Sequence, residues 1–325
     1  MNRQTSPNTD KKNGTGRFEV TALNLKQTGN FGIVKQDSRN ADKKLANVSF
    51  ILRAEKDVEI TDKSNKYYGK INSTYKYVKI KTSANGSWEK EVTGEVKICD
   101  IDFVKNINDA TRFTTDENGR IAIYNLLLST NGVDHIKYHL EEVKVPTGFI
   151  GLGKTQSFEM SGLLDYTKDE DGDPIYTVTV RDEQPKAEIK LNKTVADLDT
   201  DVDLVDRSDL SKIQFVLKAK ENIYSPVDGS LMFAKDDVIT TENSGAIVNA
   251  GTEVGNGVYA LSTDGHLDIS NLPMGVGEAQ YYLQEVKTLD GCVLDTTKYD
   301  AVFKQSDYTT KTYIKSFDVE NKTTD

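Results

Sequence analysis

Three strand-like motifs occur twice in this chain, in the same order. Leu45-Ala-Asn-Val-Ser-Phe-Ile-Leu-Arg-Ala54 matches Leu210-Ser-Lys-Ile-Gln-Phe-Val-Leu-Lys-Ala219, and Ile121-Ala-Ile-Tyr-Asn-Leu126 matches Leu267-Asp-Ile-Ser-Asn-Leu272. Tyr138-His-Leu-Glu-Glu-Val-Lys144 matches Tyr281-Tyr-Leu-Gln-Glu-Val-Lys287. An ordered repeat of this kind means two copies of one domain in tandem. The first copy is the longer, with its excess between Ala54 and Thr111 and before Tyr138.

Inside the motifs apolar residues alternate with polar ones, as in Val48/Phe50/Leu52, Ile121/Ile123, Phe215/Leu217 and Leu267/Ile269. The runs are short, rich in β-branched and aromatic residues, and separated by turn pairs such as Asn118-Gly119 and Asp264-Gly265. That pattern predicts an all-β protein of two tandem immunoglobulin-like or prealbumin-like sandwiches with antiparallel sheets. The expected organisation is a disordered segment over 1–16, an extra strand or remnant of a preceding domain over 17–29, a first sandwich over 30–184 and a second over 187–325. Gln184-Pro185-Lys186 is the short linker. Phe18-Glu-Val-Thr-Ala-Leu-Asn24 resembles the closing strand Phe317-Asp-Val-Glu-Asn321, and suits either an added strand or the end of an earlier domain.

Composition narrows the function. The net charge of −10 argues against phosphate-backbone binding, and no apolar run is long enough for a membrane span or a signal peptide. Two cysteines, Cys99 and Cys292, fall in different copies and provide no disulfide framework; with three histidines they also leave little for a metal site, so no cofactor or metal is expected.

Strand parity exposes an anomaly. Residues i and i+2 share a face, so a charged residue in phase with apolar ones is predicted to be buried. Lys35 is in phase with Phe31 and Ile33, Glu142 with Tyr138 and Leu140, and Asp182 with Val178 and Val180. The second copy repeats the set: Lys193 with Ile189 and Leu191, Glu285 with Tyr281 and Leu283, Asn321 with Phe317 and Val319. Their neighbours Glu141, Glu183, Lys190 and Glu320 are out of phase and expected to face solvent. Parity leaves two readings. One is a buried ion pair with a hydrogen-bonding partner. The other is a reacting triad, in which desolvation favours a neutral amine and a protonated carboxylic acid, and the amine attacks the Asn or Asp side chain.

The strings Gly32-Ile-Val-Lys-Gln-Asp37, Thr115-Asp-Glu-Asn-Gly119 and Tyr138-His-Leu-Glu-Glu-Val-Lys-Val-Pro-Thr-Gly-Phe149 resemble the collagen-adhesin B-type domain, the SpaA-type, prealbumin-like module of Gram-positive surface adhesins and pilins. The second copy resembles it through Ile189-Lys-Leu-Asn-Lys193, Ser262-Thr-Asp-Gly265, Tyr281-Tyr-Leu-Gln-Glu285 and Val319-Glu-Asn321. The resemblance implies an isopeptide bond between Lys193 and Asn321 with Glu285 catalytic, and between Lys35 and Asp182 with Glu142 catalytic. The first copy has Asp182 where asparagine is usual, so its bond would release water. In the second, Leu289-Asp-Gly-Cys292 replaces the familiar Pro-x-Gly-aromatic turn.

Other features are weaker. Asp197–Asp203 and Asp169–Asp173 are acidic, but neither has the spacing of a calcium loop. Tyr67, Tyr68, Tyr75, Tyr77 and Trp88 sit among lysines in the first-copy insertion, and suit an added hairpin better than a ligand patch. His135, His139 and His266 lie beside turns or in outward phase. No carboxylate pair outside the triads suggests a hydrolase.

The function expected is a structural stalk or shaft segment of a cell-wall-anchored surface protein or pilin. Each glutamate acts once, so this is not an enzyme with turnover. Sortase processing of a parent chain, with anchor and membrane tail beyond Asp325, and other pilin subunits as partners follow from the same resemblance. The alternative is an adhesin binding a host or matrix ligand through residues 55–110, and a plain two-domain β protein without cross-links is the third reading.

Overall fold

The computed structural model describes residues 27–55, 76–129, 135–151, 156–159, 166–196 and 205–324. The segment 1–16, the Phe18–Asn24 strand, Tyr67, Tyr68, Tyr75 and the Asp197–Asp203 run lie outside them.

The first half contains β1 (Thr28–Asp37), β2 (Ser49–Ala54), β3 (Tyr77–Lys81), β4 (Glu91–Thr93), β5 (Glu95–Lys97), β6 (Asp100–Val104), β7 (Arg112–Thr114), β8 (Arg120–Leu127), β9 (Lys137–Lys144), β10 (Gln156–Glu159), β11 (Thr167–Lys168) and β12 (Pro174–Asp182). The second contains β13 (Lys186–Val195), β14 (Gln214–Ala219), β15 (Ile223–Tyr224), β16 (Leu231–Phe233), β17 (Ile247–Ala250), β18 (Thr252–Gly255), β19 (Val258–Ala260), β20 (His266–Pro273), β21 (Glu278–Lys287), β22 (Lys298–Lys304) and β23 (Thr312–Asn321). Helix among the described residues is confined to single turns such as Thr241–Ser244.

Each half is a sandwich of two sheets. In the first, β11-β12-β1-β8-β5 faces a sheet built on β10-β9-β2-β3-β6; in the second, β17-β20-β13-β23 faces β18-β19-β14-β21-β22. The order last strand, first strand, repeat strand (β12-β1-β8 and β23-β13-β20) is common to both. Inward residues of the two sheets form one core per half: Phe31, Ile33, Phe50, Leu52, Ile121, Tyr138 and Leu140 in the first, Ile189, Leu191, Phe215, Leu217, Ile269, Tyr281 and Leu283 in the second.

One expectation needs correcting. The sheets are not wholly antiparallel, because β1 pairs in parallel with β12 and β13 with β23. Each half leaves its first strand, passes through the opposite sheet and returns beside that strand in the same direction, a long crossover that parallel pairing requires. Glu183, Lys190 and Glu320 are exposed as expected, whereas Glu141 is half-buried, held by Arg53 Nε at 2.6 Å.

The first-half insertion adds β3 and β6 to the β2 sheet and buries Val78, Ile80 and Phe103. Trp88 lies under Lys81 and Lys79, whose Nζ atoms are 4.9 and 5.5 Å from its ring centre. Asp169 caps the β11–β12 turn, accepting from the amides of Asp171 and Asp173, so that acidic cluster is hairpin chemistry.

The halves also touch. Gln305 accepts from the Gly148 amide at 3.0 Å and donates to the Phe149 carbonyl at 2.8 Å, while Val227 of the second half packs on the core of the first.

Candidate functional site

Parallel register places the charged residues. Lys193 sits opposite Val319 and Val195 opposite Asn321, so Asn321 lies one same-face step beyond the lysine on the neighbouring strand. In the first half Lys35 is opposite Val180 and Asp37 opposite Asp182, the identical offset. The glutamates come from the facing sheets, Glu285 paired with Phe215 and Glu142 with Phe50.

A β-bulge accompanies each glutamate. Gln214 and Phe215 pair with Lys287 and Glu285, leaving Val286 as the extra residue; Ser49 and Phe50 pair with Lys144 and Glu142, leaving Val143. Val286 and Val143 face outward by alternation, 45% and 37% exposed, and the bulge ends the inward alternation there, so that Lys287 and Lys144 are exposed as well. A lone valine at a solvent position after the glutamate was the trace of this in the sequence.

In the second half Lys193 Nζ donates to Asn321 Oδ1 at 2.5 Å and lies 2.9 Å from Glu285 Oε2. Asn321 Nδ2 donates to Glu285 Oε1 at 2.8 Å and to Thr288 Oγ1 at 2.6 Å. Glu285 therefore bridges the amine and the amide nitrogen, one carboxylate oxygen on each. Lys193 is 1% exposed, Glu285 2% and Asn321 1%. In the first half Lys35 Nζ is in close contact with Asp182 Oδ1 and 3.2 Å from Glu142 Oε1. The Phe215 and Phe50 rings floor the two sites, 5.6 and 5.5 Å from the lysine Nζ atoms. Burial pushes the Asp182 carboxyl up to about 7; the neighbouring Lys35 opposes the shift and the Glu142 carboxyl adds to it.

The surroundings repeat as closely as the triads. The turn glycines Gly119 and Gly265 have φ of +66° and +88°, and a Cβ there would lie 2.7 Å from the Lys35 carbonyl oxygen and 2.4 Å from that of Lys193. The lysine amides in turn donate to these glycines' carbonyls, both at 2.8 Å. The buried Tyr138 and Tyr281 hydroxyls donate to the carbonyls of Leu127 and Pro273 at 2.5 and 2.6 Å, and burial pushes both phenols up.

The loop after each glutamate closes the same way despite its different sequence. Phe149 N bonds to Pro146 O and Cys292 N to Leu289 O, both at 3.1 Å, with Gly148 and Gly291 at φ of +89° and +80°. The next amides, Ile150 and Val293, donate to the carbonyls of Glu183 and Lys322, both at 2.8 Å, one residue past Asp182 and Asn321. Leu289-Asp-Gly-Cys292 thus does the work of Pro146-Thr-Gly-Phe149, because the turn needs a left-handed glycine and a buried fourth residue, not proline or an aromatic ring.

Thr288 escaped the sequence reading, since a hydroxyl just past a strand end carries no periodic signal. Of the histidines, His139 is bonded to Ser157 Oγ at 2.8 Å, and burial lowers its pKa; His266 lies 3.7 Å from Asp264 at an exposed turn. Among the described residues no group of His, Cys, Asp and Glu could hold a metal ion, and no helix is long and apolar enough to cross a membrane.

The family model of the SpaA prealbumin-like fold domain matches residues 200–317. No curated protein matches the chain. Solved structures that align with the chain include the Bacillus anthracis TIE protein, at 16% identity and a TM-score of 0.45 over 91% of this chain, which spans 34% of that protein. The C-terminal domain of the shaft pilin SpaA from Lactobacillus rhamnosus GG aligns over 49% of this chain and 99% of its own, at 16% identity and a TM-score of 0.34. The minor pilin GBS52 of Streptococcus agalactiae aligns over 92% and 97%, at 14% identity and a TM-score of 0.27. With the strand order and the family match taken together, the chain carries a SpaA-type prealbumin-like domain at residues 200–317, preceded by a second sandwich built on the same strand order.

Proposed function

We propose that this chain is a load-bearing segment of a Gram-positive surface stalk or pilus shaft, locked by an isopeptide bond in each sandwich. The observation that carries the reading is the parallel pairing of first and last strands around a buried Lys–Glu–Asn or Lys–Glu–Asp triad, at the same register in both halves.

In the second half, proton transfer from Lys193 Nζ to Glu285 Oε2 converts the ion pair into a neutral amine and a carboxylic acid. Nζ attacks Asn321 Cγ; Glu285 gives its proton to Nδ2 and takes one from Nζ. The Cγ–Nδ2 bond breaks, ammonia leaves, and Glu285 ends protonated beside a neutral amide. In the first half Lys35 attacks the protonated Asp182 carboxyl and water leaves; a carboxyl raised to about 7 keeps that form populated near neutrality. Each glutamate works once, in its own chain.

The bonds would set the path of tension. Force entering at β1 passes from Lys35 to Asp182, through Gln184-Pro185 into β13, and from Lys193 to Asn321. The 147-residue and 128-residue separations between the linked positions are then bypassed. Such a segment resists extension without disulfides, and would hold other domains or pilin subunits away from the wall.

Intact-mass measurement of the purified chain tests this. Losses of about 17 Da for ammonia and about 18 Da for water are expected. An unshifted mass removes the cross-links and the mechanical reading with them.

A further inference from the structure

We propose that Thr288 fits the second site to an asparagine, accepting the amide N–H that Glu285 does not take, and that valine at the matching position fits the first site to an aspartic acid. The inference rests on the isopeptide reading above.

Asn321 is 1% exposed, and its carboxamide brings two N–H donors into the core. One goes to Glu285 Oε1 at 2.8 Å, the other to Thr288 Oγ1 at 2.6 Å. With both donors spoken for, the amide is held in one of its two flips: Oδ1 faces Lys193 Nζ at 2.5 Å, and Nδ2, the atom that must leave, faces the glutamate. Without the Thr288 oxygen, one buried N–H has no acceptor among these partners, and only Lys193 and Glu285 are left to oppose the flip that turns Nδ2 toward the amine.

The repeat supplies the comparison. Thr288 is the third residue after Glu285, directly beyond β21, and the ungapped alignment of Tyr138–Lys144 with Tyr281–Lys287 sets Val145 at the same place after Glu142. The first site presents Asp182, whose carboxyl has no N–H, so it needs no second acceptor, and an apolar side chain stands there. Val145 packs on the first core. Thr288 thus accompanies Asn321 in the second half, and Val145 accompanies Asp182 in the first.

In the reaction Nζ–Cγ forms and Cγ–Nδ2 breaks. Thr288 neither gains nor loses a proton; it remains the acceptor of one N–H as Nδ2 passes from amide to ammonia.

The test uses the full chain made by cell-free translation, quenched in acid at intervals, digested with trypsin and read for the peptide pair joined through Lys193. T288V is expected to slow the link about tenfold, as for loss of one hydrogen bond to the reacting group, and T288S to stay within about twofold of wild type. N321D is expected to link with loss of water, and adding T288V to it to change that rate by less than about twofold. Wild type without any link overturns the isopeptide reading and this inference with it. A linked wild type with an unimpaired T288V overturns this inference alone. So does equal slowing of the Asn321 and N321D chains, which marks a purely structural role, and so does an N321D chain that forms no link.

Discussion

Lys193 and Asn321 are neighbours on parallel strands although 128 residues separate them, with the asparagine one same-face step beyond Val319, the lysine's register partner. Asn321 ends its strand and Lys193 lies two residues before the end of its own, so a bond between them would close the sandwich near where the chain leaves it. The same offset relates Lys35 and Asp182.

Closing a loop of this length should dominate stability. By the chain-entropy argument used for disulfides, a cross-link spanning more than 100 residues contributes about 5 kcal/mol. E285Q should abolish the ammonia loss, leave the water loss intact, and lower the melting temperature of the second sandwich by about 10–20 °C. Calorimetry with peptide mapping checks this; an E285Q chain still linked at Lys193 would show that Glu285 has no part in the bond.

Gly265 should not tolerate a side chain. Its φ of +88° and the 2.4 Å approach to the Lys193 carbonyl oxygen make G265A destabilising by about 1–3 kcal/mol. G119A is expected to behave likewise in the first sandwich, where the approach is 2.7 Å. Denaturant melts measure both, and an unchanged midpoint would contradict the contact.

The two sites should differ in pH response. Asp182 is raised from the ordinary 3.8 to about 7 by burial, so before cross-linking the folded chain holds its proton more tightly than the unfolded chain. Its contribution to stability is full below about pH 4 and lost as pH rises through about 7. Above that, the reactive acid is depleted in the first site while Asn321 does not titrate. The ratio of first-site to second-site linking rates should fall between pH 6 and 8. A constant ratio in timed digests would rule out a protonated Asp182 as the reacting form.

Gln305 ties the second sandwich to the loop that follows Glu142 in the first. Q305A removes bonds to the Gly148 amide and the Phe149 carbonyl and should cost the first sandwich about 1–2 kcal/mol. Its unfolding transition should move away from that of the second, and calorimetric transitions that stay in step would show the contact to be incidental.

Local periodicity in the sequence marks the core strands β1, β2, β8, β9, β12, β13, β14, β20, β21 and β23, their duplication and the inward phase of six ionisable or amide residues, because side-chain direction in a strand has a period of two and a charge in phase with Ile189 and Leu191 has only the core to enter. The sequence also carried the Gly119 and Gly265 turns, where a left-handed backbone selects glycine. Periodicity does not say who meets whom; the pairing of Lys193 with Asn321 and of Lys35 with Asp182 entered only as what the family resemblance implies. Parity puts Lys193 and Asn321 on inward faces without saying that their strands are adjacent, parallel and offset by one step, since that pairing depends on how the intervening chain crosses between sheets. The bulges at Val143 and Val286, the Thr288 contact and the shared closure of two dissimilar loops are likewise facts of tertiary structure. Each joins groups far apart in the chain, and local periodicity holds no information about distances of that kind.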